Sequence, residues 1–245
     1  MPSSNAHSNG QSMAGLTETW WQWATHLPTD SGNNAFQDLT GANAGAGDVG
    51  GHVFFLAGLA GSSESSNPNV GLVTREFDVP VNYAILLPVL NTLESVPDYN
   101  ELVGPGNQSE VNAYIKDWKN EYVTGLFSEI DGKSVKPDYV QTGFFSLGAV
   151  TPGDIGYDLF GLRPQDVEQQ PAKAAGYWAL LEKLSIGTHT LHFGGSLDYQ
   201  DAAGNFGHPD GVTDFSIDIT DTIHVVPLDQ YHPTVAPAAA DLAWA

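Results

Sequence analysis

Phe215-Ser216-Ile217-Asp218-Ile219-Thr220-Asp221-Thr222-Ile223-His224-Val225-Val226 puts an apolar residue at every second position from 215 to 225, with one exception, Asp221. Side chains alternate faces along a strand, so this period of two marks a strand with one face on a core and the other in water. Thr188-His189-Thr190-Leu191-His192-Phe193 carries the same period through Leu191 and Phe193. Its β-branched threonines and the bounding Gly187 and Gly194-Gly195 also argue for a strand. Pairing the two antiparallel, with Leu191 opposite Ile217 and Phe193 opposite Phe215, joins apolar face to apolar face. That register sets His189 opposite Ile219, with Asp221 one diagonal step away on the core-facing side. A carboxylate and an imidazole there have to pair, because either one buried alone is costly. The expectation is a His189–Asp221 couple, read either as catalytic or as a hydrogen bond at the rim of the core. His192, three residues from His189, points to the opposite face, so the two cannot chelate one ion. The outer face collects Thr188, Thr190, His192, Ser216, Asp218 and Thr220. A serine on a flat strand lacks the sharp turn and oxyanion donors of a hydrolase nucleophile, which makes this a solvated face.

The segments before this hairpin extend the β pattern. His52–Ala57 is a continuous apolar run bounded by glycines, as for a strand covered on both faces. In Val73–Val79 apolar and polar residues alternate except at Arg75, and Pro80 stops the run. Tyr83–Leu90 is apolar throughout, with Pro88 requiring an edge position or a bulge. Tyr139–Leu147 and Tyr177–Leu184 complete the strands. Ala172–Leu184 has composition suited to helix as well, and Gly176 favours strand. Two helices are expected. One spans Thr17–Leu27, where Trp20, Trp23, Ala24 and Leu27 share a face and Pro28 ends the run. The other spans Ser109–Leu126, with Asn107 or Ser109 as its cap. Thr29–Gly51, rich in Gly, Asn and Ala, reads as a long surface loop. The fold class is therefore mainly β, a β-sandwich or jelly roll with two peripheral helices. A single domain over residues 16–230 is expected, between a loosely docked tail (1–15) and an Ala/Pro-rich tail (231–245).

Charge narrows the function. The chain has 29 acidic and 8 basic residues among 245, a net charge of −21, with only 15% charged. Acids are present in ordinary number and it is Lys and Arg that are scarce. Nucleic acid is excluded as a partner because phosphate binding needs clustered cations, and anionic membrane surfaces are excluded likewise. With no cysteine, disulfides, thiolate nucleophiles and Cys-ligated metals are ruled out. No apolar run approaches a membrane span, and the polar Met1–Gly10 shows no secretory leader. The scarcity of Lys and Arg, the polar loops and the six Trp point to an extracellular or periplasmic protein, with the cytoplasm as the alternative.

Four further groups carry candidate chemistry. Glu94 and Asp98, with Glu101 and Tyr99 beside them, gather after an apolar strand, and a pair of carboxyl groups is what glycoside hydrolysis uses. Trp21 lies off the Trp20/Trp23/Ala24 face, and with Tyr99 it is a candidate platform for stacking on sugar rings. Asp198, Asp201, Asn205 and Asp210 offer hard oxygen ligands suited to Ca²⁺ in a loop whose spacing departs from the EF-hand. His189 and Asp221 complete the set.

The short motifs Trp20-Trp21-Gln22-Trp23, Asp38-Leu39-Thr40-Gly41, Phe54-Phe55-Leu56-Ala57-Gly58, Asp78-Val79-Pro80, Pro88-Val89-Leu90-Asn91, Ile130-Asp131-Gly132, Gly176-Tyr177-Trp178 and Gly187–Gly195 are spread over most of the chain. In them the sequence resembles a loosely defined group of uncharacterised exported bacterial proteins. The resemblance implies a β-rich, exported protein and brings no activity with it. Such proteins often carry a cysteine pair in the loop before the Phe-Leu-Ala-Gly motif and in the strand before Val-Pro, where this chain has Ala or Gly and Phe77. The functional expectation is an exported protein that binds or processes neutral polysaccharide. The alternative is a non-catalytic extracellular module, stabilised by Ca²⁺, that acts through assembly or surface display.

Overall fold

The computed structural model describes residues 7–8, 10–29, 34–59, 72–95, 108–162, 171–197 and 215–233. Its elements in chain order are β1 (His7–Ser8), β2 (Gln11–Ser12), α1 (Met13–Thr25), β3 (Val53–Phe55), β4 (Leu72–Pro80), β5 (Ala84–Ser95), α2 (Gln108–Asp117), β6 (Val123–Ile130), β7 (Lys133–Ser134), β8 (Asp138–Gln141), α3 (Ile155–Asp158), β9 (Ala172–Leu181), β10 (Gly187–Leu197) and β11 (Phe215–Val226). Apart from the small β1–β2 hairpin, the strands form a five-stranded sheet ordered β4-β11-β10-β6-β7 and a four-stranded sheet ordered β3-β5-β9-β8. The mainly β, two-sheet architecture is the one the alternation demands.

Three layers follow from where the apolar residues fall. Between the sheets lie Phe54, Val73, Phe77, Ile85, Leu87, Leu191, Phe193, Ile219 and Ile223, all buried. On the far side of the four-stranded sheet, α1 and residues 35–46 bury Trp20, Trp23 and Phe36 against Phe55, Leu86 and Trp178. The four-stranded sheet is thus covered on both faces, which is why β3 and the first half of β5 are apolar at every position. The five-stranded sheet keeps its outer face in water, so β4, β10 and β11 alternate. α2 closes one end, setting Val111 and Ile115 against Ala175.

Several local expectations are revised. The β10–β11 ladder pairs Leu191 with Asp221, Phe193 with Ile219 and His189 with Ile223, four residues from the expected register. An even shift leaves every side chain on its expected face. The observed register extends pairing from Gly187↔Val225 to Leu197↔Phe215, whereas setting Phe193 against Phe215 would strand the end of β10. The second helix gives way at Trp118–Tyr122 to a π turn and then to β6. Val123 and Thr124, β-branched and followed by Gly125, favour extended backbone there. Pro88 sits in an interior strand, accommodated by a bulge between Pro88 and Leu90.

The Gly-rich segment after residue 34 is not a surface loop. Ala35, Phe36, Ala46 and Asp38 are buried, and Asp38 organises the turn. Its carboxylate accepts hydrogen bonds from the backbone N–H of Thr40, Gly41 and Asn43 and from the Thr40 hydroxyl, at 2.7–2.9 Å. Burial pushes the Asp38 carboxyl up, yet these four donors together hold it below its ordinary value. Gly41, at φ +94°, has no room for a side chain, since a Cβ would lie 2.5 Å from the Glu76 carbonyl oxygen. The turn therefore docks on the edge of β4, where Glu76 N–H donates to the Thr40 carbonyl at 2.9 Å.

Candidate functional site

The couple expected between His189 and Asp221 is replaced by two separate pairs. Asp221, fully buried, faces its direct cross-strand partner Arg75, which is 3% exposed. Arg75 Nε and Nη2 donate to the two carboxylate oxygens at 2.7 and 2.8 Å, and Nη1 donates to the Ala57 carbonyl at 3.0 Å. Burial pushes the Asp221 carboxyl up against the opposing pull of the guanidinium. The bidentate geometry, sealed between the sheets, makes this pair a structural tie rather than a reactive group.

His189 stands at the rim, where its Nδ1 bonds Asp131 at 2.8 Å and its Nε2 lies 2.9 Å from the Ser185 carbonyl. Asp131 occupies a tight turn, at φ +50° and followed by Gly132 at +70°, and its other oxygen accepts the Thr190 N–H at 3.0 Å. The Ser185 hydroxyl is 3.3 Å from Nε2, giving a carboxylate–imidazole–hydroxyl row. A carbonyl at 2.9 Å on Nε2 asks that nitrogen to donate, so the ring serves two acceptors and is no base for Ser185. Its pairing with Asp131 raises the His189 pKa and lowers that of Asp131. This is a clasp between two turns.

Of the other expected residues, only Trp21 and Glu94 are among those described. Trp21 is 6% exposed, packed edge-on to Trp20 at 5.0 Å and near Phe160 at 6.2 Å, so its ring has no open face for a sugar. Glu94 lies in the four-stranded sheet opposite Lys173. Asp98 and Tyr99, and the calcium candidates Asp198, Asp201, Asn205 and Asp210, lie outside the described residues. Among the described residues no three His, Asp or Glu side chains are grouped as metal ligands.

A concave site does form at the β4 edge. The Asp38–Gly45 turn on one side and the segment Tyr231–Pro233 on the other flank a cleft of about 260 Å³, into which β4 and β11 present Glu76, Asp78 and His224. The Gln230 N–H bonds the Pro227 carbonyl at 2.9 Å, a turn that brings Tyr231 and His232 over the sheet edge. Glu76 and Asp78, two apart on one strand face, are about 6.6 Å from each other along the backbone. His224 Nε2 meets Glu76 Oε1 at 2.8 Å, and the Glu76 carboxylate is 69% exposed. Burial, then the nearby Asp48 carboxylate, raises the pKa of both Tyr231 and Tyr83. None of the described residues that line the cleft is Lys or Arg. The cleft thus offers carboxylate acceptors and two imidazoles beside the ring of Tyr231, whose hydroxyl is buried, a set suited to hydroxyl groups and ill suited to anions.

Sequence reasoning missed this site because β4 and β11 run parallel and pair across almost 150 residues of chain. The available signal was the polar set Glu76, Asp78 and His224 on the outward positions of two alternating strands. Comparison with protein-family models, with curated proteins and with solved structures finds no match to this chain.

Proposed function

We propose that this chain is an exported protein that binds neutral polysaccharide, with the Glu76–Asp78–His224–Tyr231–His232 cleft as its binding site. The observation that carries the reading is that cleft. It is a concavity with two exposed carboxylates spaced along one strand, imidazoles beside them and a tyrosine at its wall. Carboxylates accept hydrogen bonds from vicinal sugar hydroxyls, imidazole nitrogens donate or accept, and a tyrosine ring packs on the apolar face of a pyranose. With a net charge of −21, an anionic glycan is repelled and a neutral one is not. Export is supported by the resemblance and the lysine-poor composition. No helix among the described residues is long and apolar enough to cross a membrane.

Affinity electrophoresis through gels containing neutral plant, fungal and bacterial polysaccharides, combined with an assay for released reducing ends, tests the reading. Retardation by at least one neutral polymer is expected, weakened at least tenfold by the double substitution Glu76→Gln/Asp78→Asn. Reducing-end release would add hydrolysis by the paired carboxylates to binding. Absence of both across the panel would overturn the reading and favour a non-catalytic assembly module.

A further inference from the structure

Thr188 lies outside the cleft, on β10, directly opposite His224 of β11. Its hydroxyl is 3.1 Å from His224 Nδ1, while His224 Nε2 is 2.8 Å from Glu76 Oε1. The three side chains form a row across adjacent strands, from the centre of the sheet to the cleft wall. An ionised carboxylate only accepts hydrogen bonds, so Nε2 must carry the proton in the bond to Glu76. In a neutral ring Nδ1 is then a lone pair that needs a donor, and the Thr188 hydroxyl supplies it.

We propose that Thr188 is a positioning residue for the cleft: by donating to Nδ1 it holds His224 as the Nε2–H tautomer, and His224 holds the Glu76 carboxylate in place for a ligand hydroxyl. The proposal rests on the polysaccharide reading of the cleft. Glu76 extends into water on a long side chain, and ordering such a carboxylate before binding removes an entropy cost that the ligand would otherwise meet. Without the Thr188 hydroxyl, His224 is released to flip or to change tautomer, and Glu76 loses its fixed donor. A threonine-to-valine exchange at this exposed strand position keeps the β-branched shape while deleting the hydroxyl, so the sheet itself is preserved.

The test compares wild type, Thr188→Val and Thr188→Ser in two measurements. Side-chain ¹⁵N–¹H correlation spectra report the His224 tautomer, and calorimetry reports binding of the neutral probes cellohexaose and maltohexaose. Wild type and Thr188→Ser should show the Nε2–H tautomer alone, and Thr188→Val should show a mixture of the two tautomers as the ring is freed to flip. Where a probe binds wild type, Thr188→Val should bind it 3–10-fold more weakly at unchanged melting temperature, and Thr188→Ser should restore the affinity. An unchanged tautomer in Thr188→Val, or a changed tautomer with unchanged affinity, overturns the positioning role alone. Failure of wild type to bind either probe, together with failure on the polysaccharide panel, overturns the reading of the cleft and the role with it.

Discussion

Arg75 and Asp221 are the two residues that break the alternation of their strands, and each answers the other. Removing one partner leaves a buried charge uncompensated, so Arg75→Met or Asp221→Leu should each cost about 3–5 kcal/mol in urea unfolding. The double variant should recover most of that loss, since an apolar pair suits a site between sheets; additive losses would show that the pair is not the tie described. Both breaks were legible in the sequence, and so was the rule that a buried Asp must have a partner. The partner was not legible, because His189 was near in the hairpin while Arg75 is 146 residues away. At the rim, the pairing of His189 with Asp131 gives a pH signature. Asp131, its folded pKa lowered, contributes stability above its unfolded value of about 3.9, and loses it as pH falls through the folded value. His189, its folded pKa raised, contributes fully below about 6.5 and loses that as pH rises through the folded value. The gap in melting temperature between wild type and Asp131→Asn should therefore be widest from about pH 4 to pH 6.5 and narrow on both sides. A gap independent of pH would contradict the clasp.

Among the elements, the Gly-rich segment around residues 35–47 departs furthest from its sequence reading. Its glycines signal close approach rather than exposure: a Cβ on Gly47 would overlap the Phe55 carbonyl oxygen, whereas Gly58 has nothing within 4 Å. Gly47→Ala should therefore destabilise by about 2 kcal/mol or more, while Gly58→Ala stays within about 0.5 kcal/mol. Chemical denaturation of both variants checks the contrast, and equal effects would mean that the segment does not pack on β3. Composition could not separate these cases, since each glycine follows an alanine and only the neighbouring backbone differs. β11 was legible because a period of two sustained over residues 215–225 has few other readings. The change from α2 to β6 was not, because Tyr122 and Leu126 continue a helical spacing that packing overrides with strand pairing to β10. Glu76 and Asp78 were legible as outward positions of a strand. Their meeting with His224 and Tyr231 depends on a parallel pairing and a C-terminal turn that no local pattern announces.

For the molecule as a whole, the packed layers bury Trp20, Trp21, Trp23, Trp118 and Trp178 and leave the outer face of the five-stranded sheet and the cleft at the β4 edge in water, under a charge of −21. Self-repulsion at neutral pH should be relieved by screening, so the melting temperature should rise between about 10 and 200 mM NaCl. A fall would mean that the net charge does not oppose folding. On the proposed reading, the same charge should favour uncharged glycans over uronates in the cleft. The most direct test of that central claim is a backbone ¹⁵N–¹H titration with a neutral polysaccharide fragment that retards the protein in gels. Binding at the cleft predicts saturable shifts centred on Gly41–Gly45, Glu76–Asp78, His224 and Tyr231–His232, with little change around Glu94 and Trp21. Shifts centred on Glu94 or α2, with the β4 edge unmoved, would contradict the account.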